Sequence, residues 1–410
     1  MNNLLSNAGA NIAKNRKKDM TVRVLMDGKP LENCRVSVCQ KEHEFLFGAN
    51  CFQVKSLDTL QKNEKFTELF TGIFNYATLP FYWGSYEKEK GITGEKEVKK
   101  LVDWCDRNGM TKKGHPLHWH EAVPEWLSKE RPEDVEGLIT NRVGDVIENF
   151  RDKIKIWDVV NEITKAFMFK DPISLWEQKK GFANAVTMLV DLVHKKDPEA
   201  RLLLNECNFR KNDFEILLKE LKEDGVPLYG IGLQSHMHDV VLSVDDIWKL
   251  CERYSKFGWP LHFTELSILS GKCTKKVDFY LKEGNRWICG EEYEDWQAQH
   301  IRDIYTIMFS HPAVEAITWW DIVDGNWLQA PSGLLSADFV PKKAYFALKD
   351  LVKKEWWTEV TGTTGIDGEF IANAFYGEYC INVVADGKII SRNYWHSKRD
   401  MSKSVVTINI

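Results

Sequence analysis

The 410-residue sequence lacks several features that would assign it to a common class of protein. No apolar run approaches the ~18–20 residues of a membrane-spanning helix, so no membrane partner is predicted. The first twenty residues show no apolar segment followed by a small-residue cleavage site, and we predict no secretory leader. Lys and Arg total 55 against 60 Asp and Glu. Without a basic surplus to hold a phosphate backbone, nucleic acid is not an expected partner.

The nine cysteines are odd in number and contain no C-x-x-C pair. Cys51, Cys207 and Cys380 stand among apolar or strand-like neighbours. Buried free thiols are typical of proteins in a reducing compartment, and we therefore predict a cytoplasmic location. A secreted protein whose signal peptide has been removed is the alternative.

Eight short apolar runs alternate with longer, charge-rich amphipathic segments through most of the chain. Continuous apolar strands separated by amphipathic helices indicate a parallel sheet, and eight repeats predict an α/β protein with a closed (β/α)8 barrel. A doubly wound open sheet is the alternative, although no G-x-G-x-x-G motif opens a helix here. The eight runs are 45–52, 72–80, 110–120, 155–162, 201–206, 230–236, 260–266 and 316–322.

The two ends of the chain have a different pattern. Residues 21–44 form two alternating runs joined by a turn at 27–30, and the segment after Trp357 alternates with period two between Gly and Asp-Gly turns. A module of about 55 residues is small for an independent core, so we expect both ends to share one antiparallel β module. The predicted organisation is a polar segment 1–20, strands 21–44, a barrel 45–352 and a β-sandwich-like module 353–410.

Two glutamates follow strongly apolar runs, at the strand ends where barrels carry their reactive groups. Glu162 ends WDVVNE and Glu265 lies in FTEL. Two carboxylates in one cavity suit glycoside hydrolysis, because one protonates the leaving oxygen while the other attacks the anomeric carbon. Asn161, directly before Glu162, and the His- and Trp-rich strand ends nearby favour this interpretation over two ordinary ion pairs.

Several motifs together resemble glycoside hydrolase family 10, the retaining endo-β-1,4-xylanase family, over residues 45–350. WDVVNE resembles the acid/base motif of that family, and FTELSI (263–268) resembles its nucleophile motif. The other matching segments, in the family's order, are GHPLHWHEAVPEW (114–126), LLLNECN (202–208), GIGLQSHMH (230–238), ITWWDIVDGNW (317–327) and LLSADFVPKKAY (334–345).

The resemblance implies that Glu162 is the acid/base and Glu265 the nucleophile of a retaining double displacement, with their carboxyl groups ~5–5.5 Å apart. It implies that Asn161 contacts the sugar 2-hydroxyl and that His236 hydrogen-bonds Glu265 and helps to keep it ionised. We expect burial and the neighbouring carboxylate to raise the pKa of Glu162. The other residues implied to line the sugar sites are His115, Trp119, His120, Asn205, Gln234, Trp319, Trp320, Trp327, Tyr82 and Trp83.

The sequence departs from the family pattern at the end of the second strand. Where the family has an E-N-x-x-K-W type motif for the next sugar, this chain has Thr78, Leu79 and Tyr82, although Trp83 aligns. Ser267 stands where the family usually has an Asp directly after the Leu that follows the nucleophile. We therefore expect weak activity on long unsubstituted xylan and better activity on xylo-oligosaccharides, decorated fragments or β-glycosides with an apolar aglycone.

Two alternatives belong to other functional classes. A metal-dependent hydrolase on the same barrel could use His115, His118, His120 and Glu121 together with His236 and His238. Metal barrels of this type usually carry their paired histidines on the first strand, whereas here the pair lies on the third. A non-catalytic carbohydrate-binding protein could use the same Trp-rich cleft. With both carboxylates present, we predict an enzyme without metal or cofactor whose partner is a β-linked oligosaccharide or polysaccharide.

Overall fold

The computed structural model describes residues 3–57, 59–238, 240–274, 277, 286–400 and 404–410. In these residues eight parallel strands close into a ring, because the seventh strand pairs with both the eighth and the sixth. The predicted (β/α)8 barrel is confirmed, and the doubly wound alternative is wrong. The barrel strands are β1 (Leu46–Asn50), β2 (Tyr76–Pro80), β3 (Thr111–His115), β4 (Ile156–Asn161), β5 (Arg201–Glu206), β6 (Gly230–Leu233), β7 (Leu261–Ile268) and β8 (Val314–Trp319).

Amphipathic helices pack around the barrel and bury their apolar faces on it. In Val244–Ser255, for example, Ile247 and Tyr254 are buried, and a capping box between Ser243 and Asp246 fixes the first turn. Within the described residues, none of the helices combines the length and apolar character needed to cross a bilayer. The longer helices around the barrel are Leu60–Thr71, Glu95–Arg107, Val135–Phe150, Pro172–Lys180, Phe182–Lys196, Asn212–Glu223, Val244–Ser255, Glu291–Ser310 and Lys343–Asp350.

Strands from both ends of the chain form two further sheets. One sheet joins Lys17–Met26 to Glu369–Phe375, Val405–Asn409 and the short strand Lys29–Pro30. The other has the order Glu359–Thr363, Arg35–His43, Gly377–Ala385 and Lys388–His396. An apolar cluster that includes Val22, Val38, Ile381 and Ile408 draws residues from both sheets. All their pairings are antiparallel except that of Lys17–Met26 with Val405–Asn409, where the chain crosses from one sheet to the other.

The N-terminal segment is helical over Asn3–Arg16, and the first strand follows at once from Lys17. This strand therefore starts four residues earlier than the sequence pattern indicates. The Arg16 guanidinium is buried and donates hydrogen bonds to the carbonyl oxygens of Phe309, His311 and Val314. These three hydrogen bonds tie the helix to the end of Glu291–Ser310 and to β8.

The barrel interior contains a buried ion pair that lies below the strand ends. Lys113 on β3 and Asp158 on β4 are both wholly buried, and the Lys113 Nζ lies 2.7 Å from the Asp158 Oδ2. The same oxygen lies 2.7 Å from the His115 Nδ1. Gly114, between the two cationic positions, leaves room for the Trp157 ring, with which any Cβ at this position would collide. Asp158 therefore joins β3 to β4 and orients His115.

Lys113→Met should destabilise the protein by ~3–5 kcal/mol, because it leaves the Asp158 carboxylate buried without its cation. The matched control is Lys112→Met, which removes the adjacent lysine and its ion pair with the more exposed Asp106. That control should cost at most ~1 kcal/mol. Denaturant unfolding of both variants at neutral pH measures the difference, and equal losses would contradict this role for the buried pair.

Candidate active site

Glu162 lies directly after β4, at the C-terminal mouth of the barrel. Its backbone is left-handed, with φ at 56°, and its N–H donates to the Asn205 carbonyl oxygen on the next strand. The turn that follows, Ile163–Met168, is held by Glu206, whose carboxylate accepts hydrogen bonds from the Thr164 N–H and hydroxyl. Because a non-glycine residue adopts this conformation only at a cost, the surrounding contacts fix where the Glu162 side chain points.

Glu265 lies within β7, and its side chain is almost fully buried. One carboxylate oxygen accepts a 2.7 Å hydrogen bond from the Asn205 Nδ2 and lies 3.9 Å from the His115 Nε2. The other oxygen lies 3.2 Å from the His236 Nε2. The His236 Nδ1 is in turn 3.0 Å from the Ser267 hydroxyl. The family departure at Ser267 thus supplies a neutral partner for His236.

Three amide side chains connect the two glutamates. The Asn205 Nδ2 donates to Asn161 as well as to Glu265, at 2.8 and 2.7 Å. The Gln234 Nε2 donates to the Glu162 Oε1 at 2.7 Å and to the Asn161 Oδ1 at 3.2 Å. Gly232 allows this approach, because a Cβ there would lie 2.5 Å from the Asn205 Oδ1. Strands β4 to β7 therefore bring these predicted residues into one hydrogen-bonded group.

The two carboxyl groups have different electrostatic environments. Burial raises the pKa of Glu265 to about 7, although the nearby His115 and Lys113 side chains oppose this shift. Burial also acts to raise the pKa of Glu162, but the Lys165 ammonium and the hydrogen bonds from Lys165 and Gln234 outweigh it, and the net pKa is lowered. The expectation that the environment raises the pKa of Glu162 is therefore wrong.

Lys165 is the site residue that sequence reasoning missed. Its Nζ lies 2.8 Å from the Glu162 Oε2 and 2.7 Å from the Glu121 Oε1. The three-residue spacing from Glu162 was visible in the sequence and is the spacing of one helical turn. Nothing in the sequence indicated that Glu121, on the loop after β3, completes the bridge.

Aromatic rings border the carboxylate pair on two sides. Trp320 meets the rings of His115, His236 and Phe52 edge to face, at centroid distances of 5.3, 6.0 and 5.5 Å. Trp327 packs on His236 at 4.3 Å. Both are among the predicted wall residues, and flat aromatic faces are suited to contact with sugar rings.

Tyr82 borders the site beside β2. Its ring lies 5.4 Å from that of His115, 5.8 Å from that of Trp119 and 6.0 Å from that of Phe52. Thr78 and Leu79, the other departures from the family pattern on this strand, are fully buried. Of these three replacements, only Tyr82 is described in contact with predicted sugar-site residues, His115 and Trp119.

Two predicted sugar-binding residues do not join this group. Trp319 is wholly buried, because successive residues of β8 face opposite sides, and its indole N–H donates to the Asp321 carbonyl oxygen. Trp83 is also buried, with its indole N–H on Glu87 and its ring against Trp126. Neither side chain is positioned as a wall for a sugar.

Two of the histidines considered for a metal site, His118 and His120, contact the carboxylate of Glu177. The His118 Nε2 lies 2.8 Å from Glu177, and the His120 Nδ1 lies 3.4 Å from the other oxygen of the same side chain. Burial acts to lower the pKa of His120, but Glu177 outweighs it and the net pKa is raised. His120 is thus a buried partner of Glu177 in the segment that follows β3.

Comparison with known proteins places this geometry in context. The model for glycosyl hydrolase family 10 matches residues 40–351. The chain is 28% identical to endo-1,4-beta-xylanase B of Thermotoga neapolitana, over 72% of this chain and 86% of the relative. It is 24% identical to endo-1,4-beta-xylanase 2 of Arabidopsis thaliana, over 95% of this chain but 34% of that longer protein. The crystal structure of xylanase 10B from Thermotoga petrophila RKU-1 in complex with xylobiose superposes with a TM-score of 0.63 at 24% identity, covering 76% of this chain and 95% of that one.

Glu265→Gln should stabilise the protein at high pH, because the folded state holds the proton of Glu265 more tightly than the unfolded state does. The stabilisation should be absent below about pH 4.5, grow as the pH rises and approach ~3.5 kcal/mol above about pH 7, since one pKa unit corresponds to about 1.4 kcal/mol. Unfolding experiments between pH 5 and 8 measure it. Glu162→Gln is the control and should not stabilise, because Glu162 is ion-paired; a pH-independent effect of Glu265→Gln would contradict the prediction.

Proposed function

Because the chain belongs to glycosyl hydrolase family 10, a retaining family, we propose that it cleaves β-1,4-xylosidic or related β-glycosidic bonds by double displacement. The observation that carries the proposal is the hydrogen-bonded group in which Asn161, Asn205 and Gln234 connect Glu162 to Glu265. The reaction requires two neighbouring carboxyl groups, one as acid/base and one as nucleophile.

In the first half of the reaction, Glu265 attacks the anomeric carbon and Glu162 gives its proton to the leaving oxygen. In the second half, Glu162 takes a proton from water, which attacks the glycosyl-enzyme and releases Glu265. Asn205 and His236 orient the Glu265 carboxylate, and Asn161 is positioned to bind the sugar 2-hydroxyl. Hydrogen bonds to that hydroxyl strengthen as the oxocarbenium-like transition state forms.

Variants of the two glutamates should behave differently. Glu265→Ala should be inactive on all substrates, whereas Glu162→Ala should keep activity on dinitrophenyl glycosides, whose departure needs little protonation. Azide should restore Glu162→Ala and give a β-glycosyl azide, because a small anion can attack the glycosyl-enzyme without a general base. Steady-state rates and product NMR measure this. Equal losses in both variants on activated substrates, or an inverted anomer, would contradict the assignment.

The preferred substrate is proposed to be short, decorated or aglycone-bearing rather than long unsubstituted xylan. Tyr82 stands where the family pattern places a polar residue for the next sugar, and its ring lies against those of Phe52 and His115. A subsite without hydrogen-bonding partners loses discrimination for a hydroxylated guest, while stacking against an apolar group is retained. This is the observation that favours a β-glycosidase acting on apolar aglycones as the second candidate function.

A cytoplasmic location is proposed as well, because polymers do not enter cells but imported oligosaccharides do. The nine cysteines are free thiols, and Cys34, Cys51, Cys105 and Cys251 are buried among them. Reduced, buried cysteines are typical of that compartment.

Tyr82→Ala should change the choice of substrate. Removing the phenol ring opens the space beside His115, so the ratio of kcat/KM on xylohexaose to that on an aryl β-xyloside should rise on the order of tenfold, or about 1.4 kcal/mol. Trp83→Phe is the matched control, because Trp83 faces Trp126 instead of the site and the ratio should not change. Efficient internal cleavage of unsubstituted xylan by the parent protein, giving mainly xylobiose and xylotriose, would contradict the proposed preference.

A further inference from the structure

The Lys165 ammonium lies between two carboxylates at the mouth of the barrel. It donates to the Glu162 Oε2 at 2.8 Å and to the Glu121 Oε1 at 2.7 Å. The side chains of all three residues are at most one-fifth exposed. Lys165 belongs to the turn after β4 and Glu121 to the loop after β3, so the bridge connects two separate segments of the site.

Both oxygens of Glu162 accept hydrogen bonds in this arrangement. The Gln234 Nε2 donates to Oε1 at 2.7 Å, and Lys165 donates to Oε2. An ammonium and an amide N–H₂ can only donate, and an ionised carboxylate oxygen accepts more strongly than a protonated one. Both contacts therefore favour the ionised form of Glu162 over the acid.

Glu121 offers Lys165 a second anionic partner. When Glu162 gains a proton, the attraction between Glu162 and the ammonium falls, while that between Glu121 and the ammonium remains. Burial acts to lower the pKa of Lys165, but the nearby carboxylates outweigh it, so the lysine stays charged throughout. The bridge can therefore shift from two carboxylates to one without leaving a buried charge unpaired.

We propose that Lys165 is a positioning residue that holds Glu162 ionised in the resting enzyme and passes to Glu121 when Glu162 takes up the proton that it delivers to the leaving group. This inference rests on the proposed function. The proton comes from solvent, moves from Glu162 to the glycosidic oxygen as the C–O bond breaks, and Lys165 neither gains nor loses one. In the second half of the reaction the ammonium favours the ionised base.

Other groups also act on Glu162 and bear on its titration. Burial acts to raise the pKa of Glu162, while the charge and hydrogen bond of Lys165 lower it and the hydrogen bond from Gln234 adds to the lowering. Lys165 is the cation that contacts the Glu162 carboxylate directly. The titratable groups that face Glu162 from the surrounding elements are Tyr82, His120, Glu121, Lys165, Glu206, Cys207, His236 and Glu265.

The direct test follows the ionisation of Glu162 by ¹³C NMR in protein labelled at the glutamate carboxyl carbons, with the signal assigned by Glu162→Gln. Lys165→Met should move the Glu162 titration to higher pH, because the cation is gone. Glu121→Gln should move it to lower pH, because the ammonium is then left to Glu162 alone. Lys165→Arg should stay near the parent, since it keeps the charge.

Lys170→Met removes an exposed lysine from the same segment and is the matched control for the loss of one positive charge. It should leave the Glu162 titration where it is in the parent. A Glu162 titration that is unmoved in Lys165→Met, or one that moves the same way in Lys165→Met and Glu121→Gln, would overturn the proposal. A purely structural role for Lys165 would not produce shifts in opposite directions.

The pH dependence of kcat/KM gives the second readout. Because Glu265 is the weaker acid of the pair, the low-pH limb follows Glu162 and the high-pH limb follows Glu265 for substrates that need protonation. The low-pH limb should therefore move up in Lys165→Met and down in Glu121→Gln. On dinitrophenyl glycosides this difference should disappear, because protonation by Glu162 is not needed. If no variant hydrolyses any glycoside, the proposed function fails, while the NMR titration still decides the role of Lys165.

Discussion

Asp158 lies fully buried inside the barrel, where one carboxylate oxygen faces the Lys113 ammonium and the His115 imidazole at 2.7 Å each. A carboxylate in such a place is tolerated only when cations or hydrogen-bond donors surround it. Lys113 supplies the charge that stabilises the barrel wall, and His115 carries the interaction upward, with its other nitrogen 3.9 Å from Glu265. The position of His115 beside Glu265 therefore depends on a carboxylate buried inside the barrel.

The pKa values of the two glutamates of the site differ because burial and the neighbouring cations act on them in opposite directions. Glu265 is buried among amides, a neutral His236 and more distant cations, and burial prevails in raising its pKa to about 7. Glu162 is nearly as buried, but Lys165 touches it directly and the net effect on its pKa is reversed. One ammonium at 2.8 Å outweighs burial, whereas cations at longer range do not. These shifts favour an ionised Glu162 and a protonated Glu265. The first catalytic step needs the reverse, with the proton on Glu162.

Some elements and site residues could be predicted from the sequence, and others could not. The eight apolar runs predicted the strands because a parallel strand is buried on both faces and must be apolar throughout. Glu162 and Glu265 could be predicted because each lies at the end of such a run, and Asn161 because it directly precedes Glu162. Asn205, Gln234 and His236 were implied by the resemblance of their segments to the family motifs. Trp319 and Trp320 could not be distinguished, since which face of β8 meets the cleft depends on how the strand pairs with its neighbours. Trp83 aligned with the family pattern but faces away, because the turn after Tyr82 directs it toward Trp126.

The sequence by itself determined the barrel, the shared β module of the two chain ends and the pair of strand-end glutamates, because these depend on periodicity and on residue type at local positions. Only the tertiary structure decided the opposite pKa shifts of those glutamates, the contact between the rings of Tyr82 and Phe52, and the bridge from Lys165 to Glu121. The ring contact joins residues 30 apart along the chain, and the bridge joins residues 44 apart. Electrostatic interactions vary steeply over a few ångströms, and sequence spacing does not specify such distances.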